Sequence, residues 1–257
     1  METQELTTPL ISIITVVYNG ATVLEKTISS VSNLDYPNIE YIIIDGKSTD
    51  GTIDLIKKYD NKISQWISET DKGLYDAMNK GLKIASGKYI WFLNAGDTVN
   101  SKNSIDILKT KVDADIYYSD TKVVDIKGDE IGMLSELTHN DAPKDLKWQS
   151  MKRGMVVCHQ SFIVKKNIAT FFDINYKFSS DIDWVIKCLK NAEKVIYSNQ
   201  PFANFLKGGV SKANLKESMK ERYSILKKHF GFIPNLTNHF FMALRYLIKG
   251  RKSKLNI

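Results

Sequence analysis

Four short polar segments close the apolar runs of the first hundred residues: Tyr18-Asn19-Gly20, Asp45-Gly46-Lys47-Ser48, Glu69-Thr70-Asp71 and Asn94-Ala95-Gly96-Asp97. Three of them carry a carboxylate in Asp45, Asp71 and Asp97. Carboxylates gathered on one rim suit a polar ligand, and a diphosphate bound through Mg²⁺ or Mn²⁺ is a natural candidate, because these hard ions take oxygen ligands. Other phosphate cradles fail. No GxGxxG follows the first apolar run, and the stretch from Gly81 to Lys88 is one residue too long for a P-loop, with Tyr89 where a hydroxyl must meet magnesium. A diphosphate without a glycine cradle needs a divalent ion, which points to Asp97 as a metal ligand.

Further along, Ser180-Asp181-Ile182-Asp183-Trp184 offers two carboxylates and an indole. A carboxylate can take the proton of an attacking hydroxyl, and Asp181 and Asp183 are the candidates for that task. Trp184 can stack on the face of a bound ring. The same residues equally suit a capped helix start with a core tryptophan. His159, after the apolar stretch Met155–Cys158, is a candidate ligand contact or a structural histidine. Lys47 either touches phosphate or is solvated. Cys158 and Cys188 are isolated, with no CxxC, and read as small buried hydrophobes.

Elements must place these groups. Leu10–Tyr18, Ile39–Asp45, Lys62–Ser68 and Lys88–Leu93 read as strands, the first, second and fourth apolar enough for central parallel positions. Helices are predicted over Thr22–Asn33, from Ser48 to about Tyr59, and over Gly73–Ala85. This alternation predicts an α/β fold with a mainly parallel, Rossmann-like sheet, whose ligands sit at the carboxyl ends of the strands. After Asp97 the pattern loosens. Ser104–Lys109 is a short helix candidate, Ala114–Ser119 a strand, and Thr121–Ile126 with Glu130–Leu134 a hairpin around Lys127-Gly128-Asp129. His139–Gly154 reads as a mobile loop over a site, Met155–Val164 as a strand and Ser180–Asn191 as a helix. Val195–Ser198 and Phe202–Leu206 read as strands, and Lys212–His229 and Leu236–Lys249 as a C-terminal helical extension.

The net charge of +7 over 257 residues is uneven. From Pro201 onward 12 Lys and Arg face 2 Glu, so this part carries +10 and the body −3. That distribution argues against a nucleic-acid binder and for a body with an anion-seeking tail. The acidic start Met1-Glu2-Thr3-Gln4-Glu5 lacks a signal-peptide n-region, so a cytoplasmic location is expected. The uncharged run Leu6–Leu24 is cut by Pro9 and Asn19-Gly20 to a stretch too short for the roughly 20 residues a bilayer span needs. In the tail, Leu236, Phe240, Phe241, Leu244, Leu247 and Ile248 share one helical face beside Arg245, Lys249, Arg251, Lys252 and Lys254. This is the pattern of an in-plane helix on an anionic membrane surface, the inner face of the cytoplasmic membrane for a cytoplasmic chain. Docking of that face on the domain or on a second copy, as a homodimer, is the alternative.

In order along the chain, PLISIITVVYNG, IIIDGKSTDGT, DKGLYDAMNKGLKIASGKYIWFLNAGD and SSDIDW resemble a family 2 glycosyltransferase of the GT-A fold, of the kind found in bacterial capsule, exopolysaccharide and O-antigen synthesis. The resemblance is dense over about residues 9–98 and sparse to about 210. It implies a GT-A domain over 1–210, with a nucleotide-binding half to about 98 and an acceptor half from 99, followed by the basic extension 211–257. It implies that Thr15, Val17, Tyr18 and Asn19 line the nucleotide base and that Asp45 recognises base and ribose. It places Asp71, Asn79 and Lys80 around the diphosphate and sugar, with Asn94 and Asp97 in the place of the DxD motif. Asp181 matches the catalytic base. The implied reaction is transfer from a nucleotide-sugar donor, UDP by default, with inversion and with Mg²⁺ or Mn²⁺ at Asp97. The implied acceptor is a saccharide, lipid-linked in such syntheses; Asp183, Trp184 and His159 are the candidates from the residues themselves for its side. One DxD carboxylate is an amide here, which makes an inactive nucleotide-sugar-binding scaffold the alternative.

Overall fold

The computed structural model describes residues 8–110, 112–138, 143–208, 214–233 and 235. Strand β1 (Ile11–Val17) is buried at every residue. A strand with no polar alternation needs cover on both faces, and the following elements provide it. They are α1 (Ala21–Ser32), β2 (Ile39–Asp45), α2 (Thr52–Lys58), β3 (Gln65–Ser68), α3 (Leu74–Ile84) and β4 (Tyr89–Phe92). Ile11 and Ile13 pack with Leu24 and Ile28 of α1 and Ile56 of α2. Ile14 and Val16 pack with Met78 and Leu82 of α3. The approach of α3 is close: a side-chain carbon on Gly81 would stand 2.4 Å from Ile14 Cγ2, so only glycine fits.

The chain continues through β5 (Thr98–Val99), β6 (Ile116–Ser119), β7 (Lys122–Val124), β8 (Glu130–Met133), α4 (Leu134–Thr138) and β9 (Phe162–Lys165). It then forms α5 (Ser180–Asn191), β10 (Val195–Ser198), β11 (Ala203–Leu206) and α6 (Leu215–Phe230). The main sheet has seven strands in the order β10-β6-β9-β4-β1-β2-β3. Strands β4, β1, β2 and β3 run parallel, and β9 alone is antiparallel to its neighbours β4 and β6. A second sheet, β5-β11-β7-β8, lies beside it. The expected mainly parallel sheet and the β7–β8 hairpin are present.

Three expectations change. The strand expected over Met155–Val164 begins only at Phe162, after a 3-10 turn at His159–Ser161. The helix expected at Ser104–Lys109 is a 3-10 turn over Asp106–Lys109. Of the expected mobile loop His139–Gly154, residues 139–142 lie outside the described residues. The rest is anchored: Leu146 and Met151 are buried, Trp148–Arg153 is a 3-10 turn, and Trp148 stacks on Phe230 at 5.3 Å. The helix Leu236–Lys249 also lies outside the described residues. Among the described residues no helix is long and apolar enough to cross a membrane.

Candidate active site

The carboxyl ends of β1, β2 and β3 stand in register, with Val17 beside Asp45 and Asp45 beside Ser68. Asp45 is buried, and its carboxylate accepts from Ser48 N and Oγ and from Ser68 Oγ. It therefore braces the β2–α2 turn. That turn is tight: Lys47 adopts φ 66°, and a side-chain carbon on Gly46 would stand 2.5 Å from Asp71 Oδ2 and 3.3 Å from Tyr18 Cδ2. Asn19 also takes the left-handed conformation, at φ 49°. Its backbone N–H donates to Ser48 Oγ at 2.7 Å and its Oδ1 accepts from Thr49 N at 2.9 Å. The result is a shallow rim on which Tyr18 is 68% exposed, Asn19 and Lys47 are exposed and Asp71 is half-buried. Asp71 Oδ1 accepts from Gly73 N at the start of α3.

A second cluster forms where β4 ends beside β1, Ala95 N donating to Val16 O. Asn94 Nδ2 lies 3.2 Å from His159 Nε2, and His159 Nδ1 lies 3.3 Å from Asp181 Oδ2. Tyr75 of α3 donates its hydroxyl to Asp181 Oδ1 at 3.2 Å. Burial raises the Asp181 pKa, but His159, Arg222 and the Tyr75 hydroxyl, which hydrogen-bond to it or face it, outweigh that effect. The net is a carboxyl below its ordinary value, with a side chain still 21% exposed. Asp181 is thus ionised, fixed and open to a ligand. Asn94 Oδ1 and Arg222 Nε are buried without hydrogen-bond partners.

Asp97 does not suit the ion expected on it. It is buried, Oδ1 accepts from Leu206 N at 2.9 Å and Oδ2 from Gln160 Nε2 at 2.9 Å. Burial lifts its pKa to about 6 against the pull of those two donors and of His159. Among the described residues no three His, Cys, Asp or Glu side chains gather to hold an ion. These residues do not fit a cation caged by side chains of the chain, and Asp97 joins β4 to β11 instead.

Six other expected site residues also serve the fold. Thr15 is buried and donates to Leu93 O at 2.7 Å, beside Tyr41 Oη at 3.1 Å, so its hydroxyl faces the core and not a base. Asn79 clamps the backbone of Phe172 through both amide atoms. Trp184 is fully buried, stacked on Phe172 at 4.9 Å, with its indole N–H on Thr170 O, which takes it away from any acceptor. Asp183 is fully buried between Lys187 (2.5 Å), His229 (2.8 Å) and Lys228 (3.1 Å), which pull its carboxyl far down despite burial. It fastens α6 to α5 and cannot touch an acceptor. Val17 is buried too, offering only its backbone at the rim. Lys80 bonds Thr70 O at 2.8 Å and Glu69 at 2.9 Å, which steadies the segment before Asp71.

Tyr75, Gln160 and Arg222 were not singled out from the sequence. Tyr75 lies inside the segment that carried the resemblance, and Gln160 directly follows His159. Arg222 had no signal, because its place beside Asp181 depends on how α6 docks.

A mainly parallel sheet with a polar rim at its strand ends, faced by a carboxylate on a later helix, is the arrangement of the GT-A fold. The fold matches residues 1–349 of S. aureus TarS, whose structure is also known with UDP-GlcNAc (TM-score 0.68, 19% identity, 96% of this chain and 76% of that one). It also matches the mannosyltransferase PcManGT from Pyrobaculum calidifontis in complex with GDP-Man and Mn²⁺ (TM-score 0.65, 15% identity, 93% and 71%). The description of Glycosyl transferase family 2 fits residues 12–170, and the chain belongs to that family. A PGL/p-HBAD biosynthesis glycosyltransferase of Mycobacterium bovis is 27% identical over 189 residues, 71% of either chain.

Proposed function

We propose that this glycosyltransferase moves a sugar from a nucleotide-sugar donor, with UDP as the nucleotide, to a saccharide hydroxyl with inversion, Asp181 acting as the general base. The observation that carries this reading is the state of Asp181: ionised, held by Tyr75 and His159, and partly open. A hydroxyl becomes acidic only as its bond to the anomeric carbon forms, so the base must be charged and in place at that moment. A carboxyl below its ordinary value is a weaker base but is present as carboxylate throughout the neutral range. Tyr18, Asn19 and the Val17 backbone would flank the nucleotide, Asp71 and Lys80 the diphosphate side, and Asn94 Oδ1 would accept from a donor hydroxyl. An Mg²⁺ or Mn²⁺ ion would arrive on the donor diphosphate, as the side chains of the described residues form no cage for it. A lipid-linked acceptor in surface-polysaccharide synthesis agrees with the basic tail, which would hold the chain on an anionic membrane face.

Asp181→Asn is expected to lower turnover at least about 1,000-fold, the scale on which general bases contribute, while UDP binding by calorimetry stays within about twofold. Near-normal turnover in this variant would remove the assignment.

A further inference from the structure

Two adjacent residues of one 3-10 turn each grip a different carboxylate: His159 contacts Asp181, and Gln160 contacts Asp97. The turn itself is fixed, because Trp91 Nε1 of β4 donates to Gln160 O at 2.7 Å. His159 is buried, so both ring nitrogens must find their partners within the protein. On one side stands Asp181, an ionised carboxylate that can only accept, so Nδ1 carries the proton. On the other side stands the Asn94 amide nitrogen, which can only donate, so Nε2 offers its lone pair. Tyr75 and Arg222 also face this carboxylate, and Asp97 lies on the far side of Gln160.

We propose that His159 is a positioning residue: as the neutral Nδ1–H tautomer it orients Asp181, and Asn94, donating to Nε2, fixes that tautomer. The proposal rests on Asp181 being the base. It gives the amide at position 94 a task. A carboxylate there could only accept, would demand a proton on Nε2, and would make His159 an imidazolium held between two carboxylates. The amide also leaves Asn94 Oδ1 buried and unpartnered, facing away from the imidazole. Asn94 therefore acts on Asp181 through His159.

The test uses the full chain labelled with ¹⁵N-histidine. Long-range ¹H–¹⁵N spectra at about pH 7.5, with His159 assigned by the peak lost in His159→Asn, are expected to show a protonated Nδ1 and an unprotonated Nε2. A protonated Nε2 in the wild type overturns the proposal. In Asn94→Asp both nitrogens are expected to be protonated at the same pH, and a neutral Nδ1–H ring there removes the role given to Asn94. In kinetics, His159→Ala is expected to lose about 100-fold in kcat, the scale of a base misplaced by an ångström, with donor KM within about threefold. His159→Asn, whose amide N–H stands near the place of Nδ1–H, is expected to recover most of the loss, and His159→Gln little of it. UDP binding and a cooperative melt verify that each variant is folded. Wild-type kcat in His159→Ala while Asp181→Asn is inactive sinks the positioning role alone, whereas an active Asp181→Asn sinks the base assignment beneath it.

Discussion

Replacing Asp183 by Asn separates a fastening from a binding residue. The carboxylate is fully buried and meets Lys187 at 2.5 Å, His229 at 2.8 Å and Lys228 at 3.1 Å. Asparagine keeps the shape and one acceptor but removes the charge. Breaking a buried pair by deleting one partner costs about 3–5 kcal/mol. The two lysines are 31% and 45% exposed and can rehydrate, so their share falls to about that of surface pairs. His229, 6% exposed, cannot. We therefore expect a loss of about 2–3 kcal/mol, or a Tm lower by about 5–10 °C for a chain of this size. Combining it with His229→Gln should cost about 1–2 kcal/mol less than the sum of the single changes. The sign with pH follows from the depressed folded value. The stabilisation is full above the unfolded value near about 4 and is lost only as pH falls through the lower folded one, so the Asp183 contribution is flat from pH 8 to about 5. A melt within 1 °C of wild type, together with a raised acceptor KM, would refute the fastening and return Asp183 to the acceptor.

Asp97→Asn tests the buried carboxyl at the end of β4. Its folded value, about 6, lies above the unfolded one, so its stabilising influence is full below about pH 4 and is lost as pH rises through 6. By pH 7 ionisation costs about 3 kcal/mol, and urea unfolding should show the wild type losing about this much relative to the variant between pH 4 and 7; parallel curves would contradict it. Gly46→Ala must displace the Asp71 carboxylate, which would lie 2.5 Å from the new carbon. UDP binding by calorimetry should weaken several-fold, about 1 kcal/mol, with stability little changed, and an unaltered Kd would take Asp71 out of the donor site. Removing residues 236–257 should release the chain from anionic vesicles in a sedimentation assay, and undiminished binding would favour a docked tail.

The sequence carried most of the nucleotide-binding half, because its signals are local. Continuous apolar runs marked β1, β2 and β4, and α5 starts and stops where its periodicity does. What failed is non-local. Trp184 and Asp183 sit in the buried stretch Ile182–Ile186 of α5, and the cover over Asp183 comes from Lys228 and His229, more than forty residues on. No spacing within SSDIDW distinguishes a carboxylate facing a cleft from one facing a buried imidazole. The two-residue strand β5 is too short for a periodic signal, and its partner β11 lies a hundred residues away. The Met155–Cys158 run resembled the start of β9 because apolar residues also anchor turns, and the His-Gln-Ser break was the only cue. Thr15 matched a motif whose side chain alternates inward at that position, where Leu93 O and Tyr41 Oη receive it.

The latch between α5 and α6 has a consequence for exchange of parts among relatives. The family match ends at residue 170, just before Asp181, Asp183 and Arg222. The segment after that boundary still completes both sheets, through β10 on β6 and β11 on β5 and β7, and side-chain clasps at Asn79–Phe172, His159–Asp181 and Tyr75–Asp181 add to that joint. A relative's downstream segment, cut before Phe172 and carrying its own α5–α6 pair, would have to match β5, β6 and β7 of the host as well as these three clasps. A graft taking α5 without α6 would set its carboxylate against the host's Lys228 and His229, so the two helices are exchanged as a pair or the fit at that latch is left to the host.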